Sequence, residues 1–265
     1  MERLWMKTHI KLSCLVICCA ALLLSACSPS ATPQDEVFEV VERTRPVEAP
    51  WRHTPTPNLS LTATVAAKER AIPAYTYYES FDQNTYDWRV GAEDNQYWQG
   101  AIDIQDGVYT WQVTGVKSTF MAWAYLNEAS DVQDFDLAFS ARRLTGEPHL
   151  ACFGTFLRVS PDGIDGGTYM LTVCDNGFYK VMYYDAENRW DAIQDWTEAR
   201  PIISDDWNLV EVNARGADFS ILINHQQVLT FSDTRLASGQ IAILIDYYSE
   251  NPGQIEFDFF ALQTQ

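Results

Sequence analysis

"TYMLTVCDNGFYKVMYY", residues 168–184, sets two runs of β-branched, aromatic and other apolar residues around Asn176-Gly177. An Asn-Gly pair between such runs is the strongest short-range signal for a β-hairpin closed by two residues, both at positive φ. That closure pairs Asp175 with Phe178, and hence Cys174 with Tyr179, Met170 with Tyr183 and Tyr169 with Tyr184. Upstream, "SPDGIDGG" (160–167) turns about Gly163. A hairpin centred there sets Cys152 opposite Cys174, Gly154 opposite Thr172 and Phe156 opposite Met170. Directly opposed Cα atoms lie about 4.5–5.5 Å apart, within disulfide range. Cys152 and Cys174 are therefore expected to form a cross-strand disulfide, the alternative being two buried thiols.

Cross-strand partners share a face of the sheet. On this register one face collects Cys152, Gly154, Phe156, Arg158, Met170, Thr172, Cys174, Tyr179, Val181 and Tyr183. The other collects Phe153, Thr155, Leu157, Val159, Tyr169, Leu171, Val173, Phe178, Lys180, Met182 and Tyr184. The second is the better core, with Lys180 its one discordant member.

Working outward, the same texture extends over "YTYYESF", "GVYTWQV", "STFMAWAY", "DFDLAFSARR", "LACFGTFLRVS", "WNLVEVNA", "DFSILIN", "QVLTF", "QIAILIDYY" and "QIEFDFFAL". Gly, Asp, Asn and Pro separate these segments, and none of the windows between them carries a helical stripe. Many short strands at close spacing predict an all-β, two-sheet antiparallel sandwich over residues 74–265. Residues 28–73 hold seven of the chain's eleven prolines and are rich in Thr, Ser and Ala, the composition of a solvated, flexible tether.

At the N-terminus, Arg3, Lys7 and Lys11 precede an apolar run from Leu12 to Ala26. About fifteen residues fall short of the roughly twenty that span a bilayer, and with the charged leader and the small residues at its end the run is expected to be an export signal. It closes on "LLSAC", which resembles the bacterial lipoprotein signal. That resemblance implies cleavage after Ala26, a diacylglycerol on Cys27 and anchorage on the extracytoplasmic face of a membrane. The alternative is an ordinary secretory signal that happens to contain Cys27. The expected organisation is thus signal peptide 1–26, lipidated Cys27 and tether 27–73, and β-sandwich 74–265. Two cysteines remain in the mature body, an even number suited to an oxidising compartment.

The full chain carries 36 acidic and 18 basic side chains, a formal charge of −18. Such a surface repels phosphate backbones, which argues against nucleic acid as a partner. No CxxC, HxxxH, HxH or GxSxG pattern occurs.

The series F-x-R (156–158), Y-x-L (169–171), N-G-x-Y (176–179), W-N (207–208) and a closing F-D (257–258) resembles the concanavalin A-like lectin/glucanase domain. More narrowly, it is similar to the laminin-G-like and 3-keto-disaccharide-hydrolase-like jelly rolls of exported bacterial proteins. "INHQQ" (223–227) stands where those families carry V-N-G. The resemblance covers about residues 75–265 and implies a jelly roll, a fold that hosts lectins, glycosidases and spacers alike. β-Glucanases of this kind carry E-x-D-x-x-E on one strand. The nearest approach here is Glu256, Asp258 and then Ala261, without the second carboxylate that a paired mechanism needs. The resemblance also implies a structural calcium ion held by Glu79, Gly107 and Asp258, oxygen donors suited to that ion.

Arg158, Thr172, Tyr179 and Tyr183 share one face on the register above. They mix rings with polar groups, as sugar-binding faces do, the alternative being a half-solvated or loop-covered face. The expected function is a surface-anchored, non-catalytic domain that binds carbohydrate or a surface protein. The alternatives are a glycoside-processing enzyme of the 3-keto-disaccharide hydrolase type and a structural spacer.

Overall fold

The computed structural model describes residues 75–265. The signal peptide, Cys27 and the tether expected over residues 1–73 lie outside the described residues. The alternating segments form β1 (Tyr77–Glu79), β2 (Gly91–Asp94), β3 (Trp98–Gln105), β4 (Val108–Gly115), β5 (Phe120–Tyr125), β6 (Phe135–Thr145), β7 (Ala151–Val159), β8 (Thr168–Cys174), β9 (Phe178–Tyr184), β10 (Trp190–Glu198), β11 (Asn208–Arg215), β12 (Asp218–Ile223), β13 (Gln226–Ser232), β14 (Gln240–Tyr247) and β15 (Pro252–Thr264). Three of these, β2, β3 and β10, are additional to the expected set. β3 is interrupted by Gly100, and β10 is polar and bulged, so neither alternates cleanly.

All pairings are antiparallel. One sheet runs β13-β12-β11-β6-β15-β4-β3-β2, with β1 added alongside β15, and the other runs β10-β9-β8-β7-β14-β5. This is the expected two-sheet jelly roll. The inner faces share a core that draws Trp98, Tyr109, Trp111, Phe139, Phe257 and Phe260 from the larger sheet. The smaller sheet contributes Phe120, Phe153, Tyr169, Leu171, Val181, Ile243 and Ile245. "INHQ" also closes without glycine: Asn224 and His225 both adopt left-handed backbone, and Ile223 pairs with Gln226.

The β7–β8 register is the expected one, with Gly154 opposite Thr172 and Phe156 opposite Met170. Cys152 and Cys174 form a disulfide, with Cα atoms 4.4 Å apart. Closing a loop at a sequence separation of 22 contributes about 3 kcal/mol on the chain-entropy account.

The β8–β9 register differs by one residue. Cys174 pairs with Phe178, Val173 with Tyr179, Met170 with Met182 and Tyr169 with Tyr183. The loop is Asp175-Asn176-Gly177, in which only Gly177 has positive φ, at 95°. That geometry fits the three-residue hairpin whose last position is left-handed. A slip of one exchanges the faces of a strand. Tyr179, Val181 and Tyr183 therefore face the core side, and Lys180 and Met182 face outward.

Arg158 is displaced from its expected face by a different device. The β7–β14 pairing carries a bulge between Gln240 and Ala242, and Arg158 takes φ 52°. Its guanidinium turns to the end of the sandwich and donates to the carbonyls of Leu236 (2.9 Å), Gln133 (2.7 Å) and Gly216 (2.7 Å). It lies 4.7 Å from the centre of the Phe219 ring. Fully buried, Arg158 ties three loops together.

The β8–β9 turn is bound to the larger sheet by a second buried cation. Arg143 Nε of β6 donates to Asp175 Oδ2 at 2.9 Å, and its Nη atoms reach Gly146 O and Asp205 Oδ1. Burial pulls the Arg143 guanidinium down, but its bonds to Asp175 and Asp205 hold it above the ordinary value. At Asp175 burial outweighs the pull of Arg143 and pushes the carboxyl up to about 6, from 3.8. The folded state thus holds this proton more tightly than the unfolded chain does. Stability from this group is greatest below pH 4 and falls as pH rises through 6, by at most about 3 kcal/mol. Denaturant unfolding of wild type and Asp175→Asn across pH 4–7 should show this slope in the wild type and not in the variant. Parallel profiles would remove the assignment.

Candidate functional site

The outer face of the six-stranded sheet carries a polar centre between two apolar fields. "QIAILIDYY" (240–248) is an apolar run broken once, at Asp246. Asp246 lies on the outer face of β14, opposite Cys152 and Met121 of the flanking strands. Lys180, turned outward by the β8–β9 register, places Nζ 3.2 Å from Asp246 Oδ2 and donates to Tyr248 OH at 2.7 Å. Tyr248 OH donates in turn to Asp246 Oδ2 at 2.6 Å, and Thr172 Oγ1 donates to the same oxygen at 3.4 Å. All four residues are buried, none more than 2 % exposed.

Two bulges in β10 bring Trp196 to this centre. Lys180 Nζ sits 4.7 Å from the Trp196 ring centroid and 5.4 Å from that of Tyr248, within cation–π range. The Cys152–Cys174 disulfide packs against Tyr248 and Trp196. Beside it, an added Cβ on Gly154 would stand 1.9 Å from the Leu171 carbonyl oxygen, so the sheet accepts no side chain there. The polar centre is thereby fixed from several sides.

On either side lie apolar and aromatic side chains of intermediate exposure. Met121, Trp123 and Tyr125 of β5 stand at one edge, and Met182 and Trp190 stand toward the other, over a buried floor of Phe156, Met170 and Leu244. Trp123 meets Phe156 edge to face at 5.7 Å, and Trp190 packs on Tyr184 at 4.7 Å. Six strands at about 4.8 Å spacing make this face roughly 24 Å across. Half-exposed rings held over a rigid, buried centre suit stacking on the apolar surface of an extended ligand. Asp246 is already matched by Lys180 and Tyr248, which makes it a poor nucleophile or proton donor.

Of the four residues expected to form one ligand face, only Thr172 is on it. Tyr179 packs in the core and donates its hydroxyl to Val228 O at 3.0 Å. Tyr183 lies under Arg235, whose Cζ is 4.0 Å from the ring centre. Arg158 is buried at the end of the sandwich, as described above. The one-residue register change removes both tyrosines, and the bulge removes the arginine. Lys180, Asp246, Trp196 and Tyr248 take their place.

One of the expected calcium ligands, Glu79, has other partners. Glu79, at the end of β1, is buried. Its Oε1 accepts from Phe81 N–H at 3.0 Å, and its Oε2 accepts from Thr85 N–H at 2.8 Å. Amide hydrogens converging on both oxygens give this pocket the polarity opposite to what a cation needs. Among the described residues no three His, Cys, Asp or Glu side chains gather as an ion-binding group. Glu79, bonded in this way, does not fit the role of a calcium ligand. Glu256, the other acid of "EFDFFA", lies in the larger sheet and is bonded to Arg142.

No protein-family model and no curated protein matches the chain. Solved structures do. A structure described with endo-acting O-glycanases of the human gut microbiota matches at TM-score 0.54 and 10% identity, over 72% of this chain and 99% of that one. A prokaryotic β-1,3-1,4-glucanase (lichenase) from a mouse hindgut metagenome matches at 0.53 and 13%, over 71% and 99%. A laminarinase from Flavobacterium sp. matches at 0.54 and 10%, over 72% and 100%. The chain therefore has the concanavalin A-like jelly-roll fold.

Removing the Lys180 ammonium strips Asp246 of its counter-charge in a buried setting, which typically costs about 3–5 kcal/mol. Lys180→Ala should show that loss in denaturant unfolding. Lys180→Met combined with Asp246→Leu should recover most of it, because a matched apolar pair needs no compensation. Equal destabilisation of the two would contradict the pairing as the source of the effect.

Proposed function

We propose that this chain is an exported lipoprotein, anchored through Cys27, whose jelly roll binds carbohydrate on the outer face of its six-stranded sheet. The observation that carries the reading is the arrangement of that face. Half-exposed rings and methionines flank a buried, fully hydrogen-bonded polar centre across some 24 Å. Aromatic faces stack on the C–H surfaces of sugars, and the buried polar centre holds the strands that carry those rings in a fixed arrangement. The fold, shared with enzymes named for acting on β-glucans and mucin O-glycans, supports the same class of ligand.

A non-catalytic role fits the chemistry of the centre better than glycoside processing does. Paired-carboxylate hydrolysis needs two acids about 5–10 Å apart, one of them able to give up or take a proton. The carboxylate at the middle of this face is paired with an ammonium and accepts a hydrogen bond from a phenol. The lipid anchor would keep the binding face close to the membrane, with the Pro/Thr-rich segment as spacer.

The test is a glycan panel read with the mature lipoprotein in detergent, by binding isotherm and by release of reducing ends. The expected result is saturable binding to one polysaccharide class with no product. Product release would transfer the protein to the glycoside-processing alternative. A blank panel from folded protein would favour protein contact or spacing instead.

A further inference from the structure

A small cleft lies beside the free edge of β5. It has a volume of about 270 Å³ and is lined by Asp87, Arg89, Trp123, Ala124, Tyr125 and Asn127. That is close to the lower end of small-molecule sites. We propose that it is a subsite for a neutral sugar unit, a proposal that rests on the carbohydrate-binding reading and gives it an address.

Three observations converge. First, the cleft has the right mixture of surfaces. Trp123 and Tyr125 are half-buried on the outer face of β5, and the side chains of Asp87, Arg89 and Asn127 are exposed beside them. β5 is the last strand of its sheet, pairing only with β14 among the described residues. Leu126 N–H donates to Ile241 O at 3.1 Å. Because antiparallel ladders alternate, the backbone groups of Trp123 and Tyr125 turn the other way, toward the free edge and the cleft. Rings, amides, a carboxylate and a guanidinium thus meet in one small space.

Second, the loop that supplies Asp87 and Arg89 is held rigid. Trp88 between them is 1% exposed and packs against Phe81 and Phe260. Asn84 brackets its backbone, accepting from Trp88 N–H at 2.7 Å and donating to Trp88 O at 2.8 Å. Tyr109 OH donates to Arg89 O at 2.5 Å. Asp87 itself takes φ 48°, a left-handed setting that a non-glycine residue adopts at some cost. Pre-organised polar groups lose little entropy on binding.

Third, the charges call for a neutral partner. Arg89 is already paired with Glu93, and Asp87 adds a negative charge to the wall. The chain as a whole is at −18, so a uronate or sulfated sugar is repelled. Vicinal hydroxyls, which both donate and accept, satisfy a carboxylate and a guanidinium at once.

The experiment is calorimetric titration of the mature lipoprotein in detergent with neutral hexasaccharides (laminari-, cello- and mannohexaose) and with hexagalacturonate. Wild type is compared with Asp87→Asn and Trp123→Ala. Asn tolerates the left-handed backbone as well as Asp does, so the first variant keeps the loop and changes only the charge. Wild type should bind a neutral hexasaccharide and not the galacturonate. Both variants should weaken that binding tenfold or more, and Asp87→Asn should leave the unfolding midpoint unchanged. Neutral binding that survives both substitutions would overturn the subsite and leave the broader face standing. Preference for hexagalacturonate would overturn the neutral class. Failure to bind any of the sugars would overturn this subsite, and a blank wider panel would take the carbohydrate reading with it.

Discussion

Gly177, at φ 95°, closes the β8–β9 turn in three residues, and the chemistry of both faces of the smaller sheet follows from that closure. A two-residue loop would send Tyr179 and Tyr183 outward and bury Lys180 among Leu171, Val173 and Tyr169. An ammonium on that face would lose the Asp246 carboxylate it meets here. The three-residue loop exchanges the faces of β9. Two phenols enter the inter-sheet core, and Lys180 reaches Asp246, the single charged side chain of β14. The same turn supplies Asp175 to Arg143, so one loop both sets a register and joins two sheets.

Buried charge recurs in this domain, and each instance is compensated in its own way. Arg158 is met by three loop carbonyls and an aromatic face, Arg143 by two carboxylates, and Lys180 by Asp246, Tyr248 and the Trp196 ring. Apolar replacements would pack as stably in many such places. What these groups add is a fixed geometry. Arg158 ties loops at one end of the sandwich, and the Lys180–Asp246 network fixes the middle of the outer face. Flanking rings on β5 and β10 are then held at set separations around an unyielding centre, which is what recognition of an extended, many-hydroxyl ligand asks of a surface.

Most of the fold was legible in the sequence, because alternation reports a half-buried strand directly. The Cys152–Cys174 bridge was legible too, since the β7–β8 turn fixed its register. The proposed binding face was legible only in part. "DNG" fits a two-residue or a three-residue loop, and local sequence does not choose between them. Lys180 was the available clue: a lysine alone in an apolar face signals that the face has been drawn one residue out of register. The turning-in of Arg158 had no local sign, because its bulge is a property of the pairing with β14, some eighty residues on. β10 was hidden by its two irregularities, which are the feature that brings Trp196 over Lys180. The loop carrying Asp87 and Arg89 matches no motif, and its rigidity comes from Trp88, Asn84 and Tyr109 meeting in three dimensions.

The chain has five methionines. Two precede Cys27, and the other three, Met121, Met170 and Met182, all belong to the outer-face cluster of the six-stranded sheet. Methyl NMR of [13C-methyl]methionine-labelled mature protein therefore reports on the proposed binding face and nowhere else. Titration with a glycan that the protein binds should shift or broaden Met121 and Met182, the two half-exposed methyls, with a smaller effect on buried Met170. Saturable glycan binding that leaves all three resonances unmoved would place recognition on another surface and contradict the account.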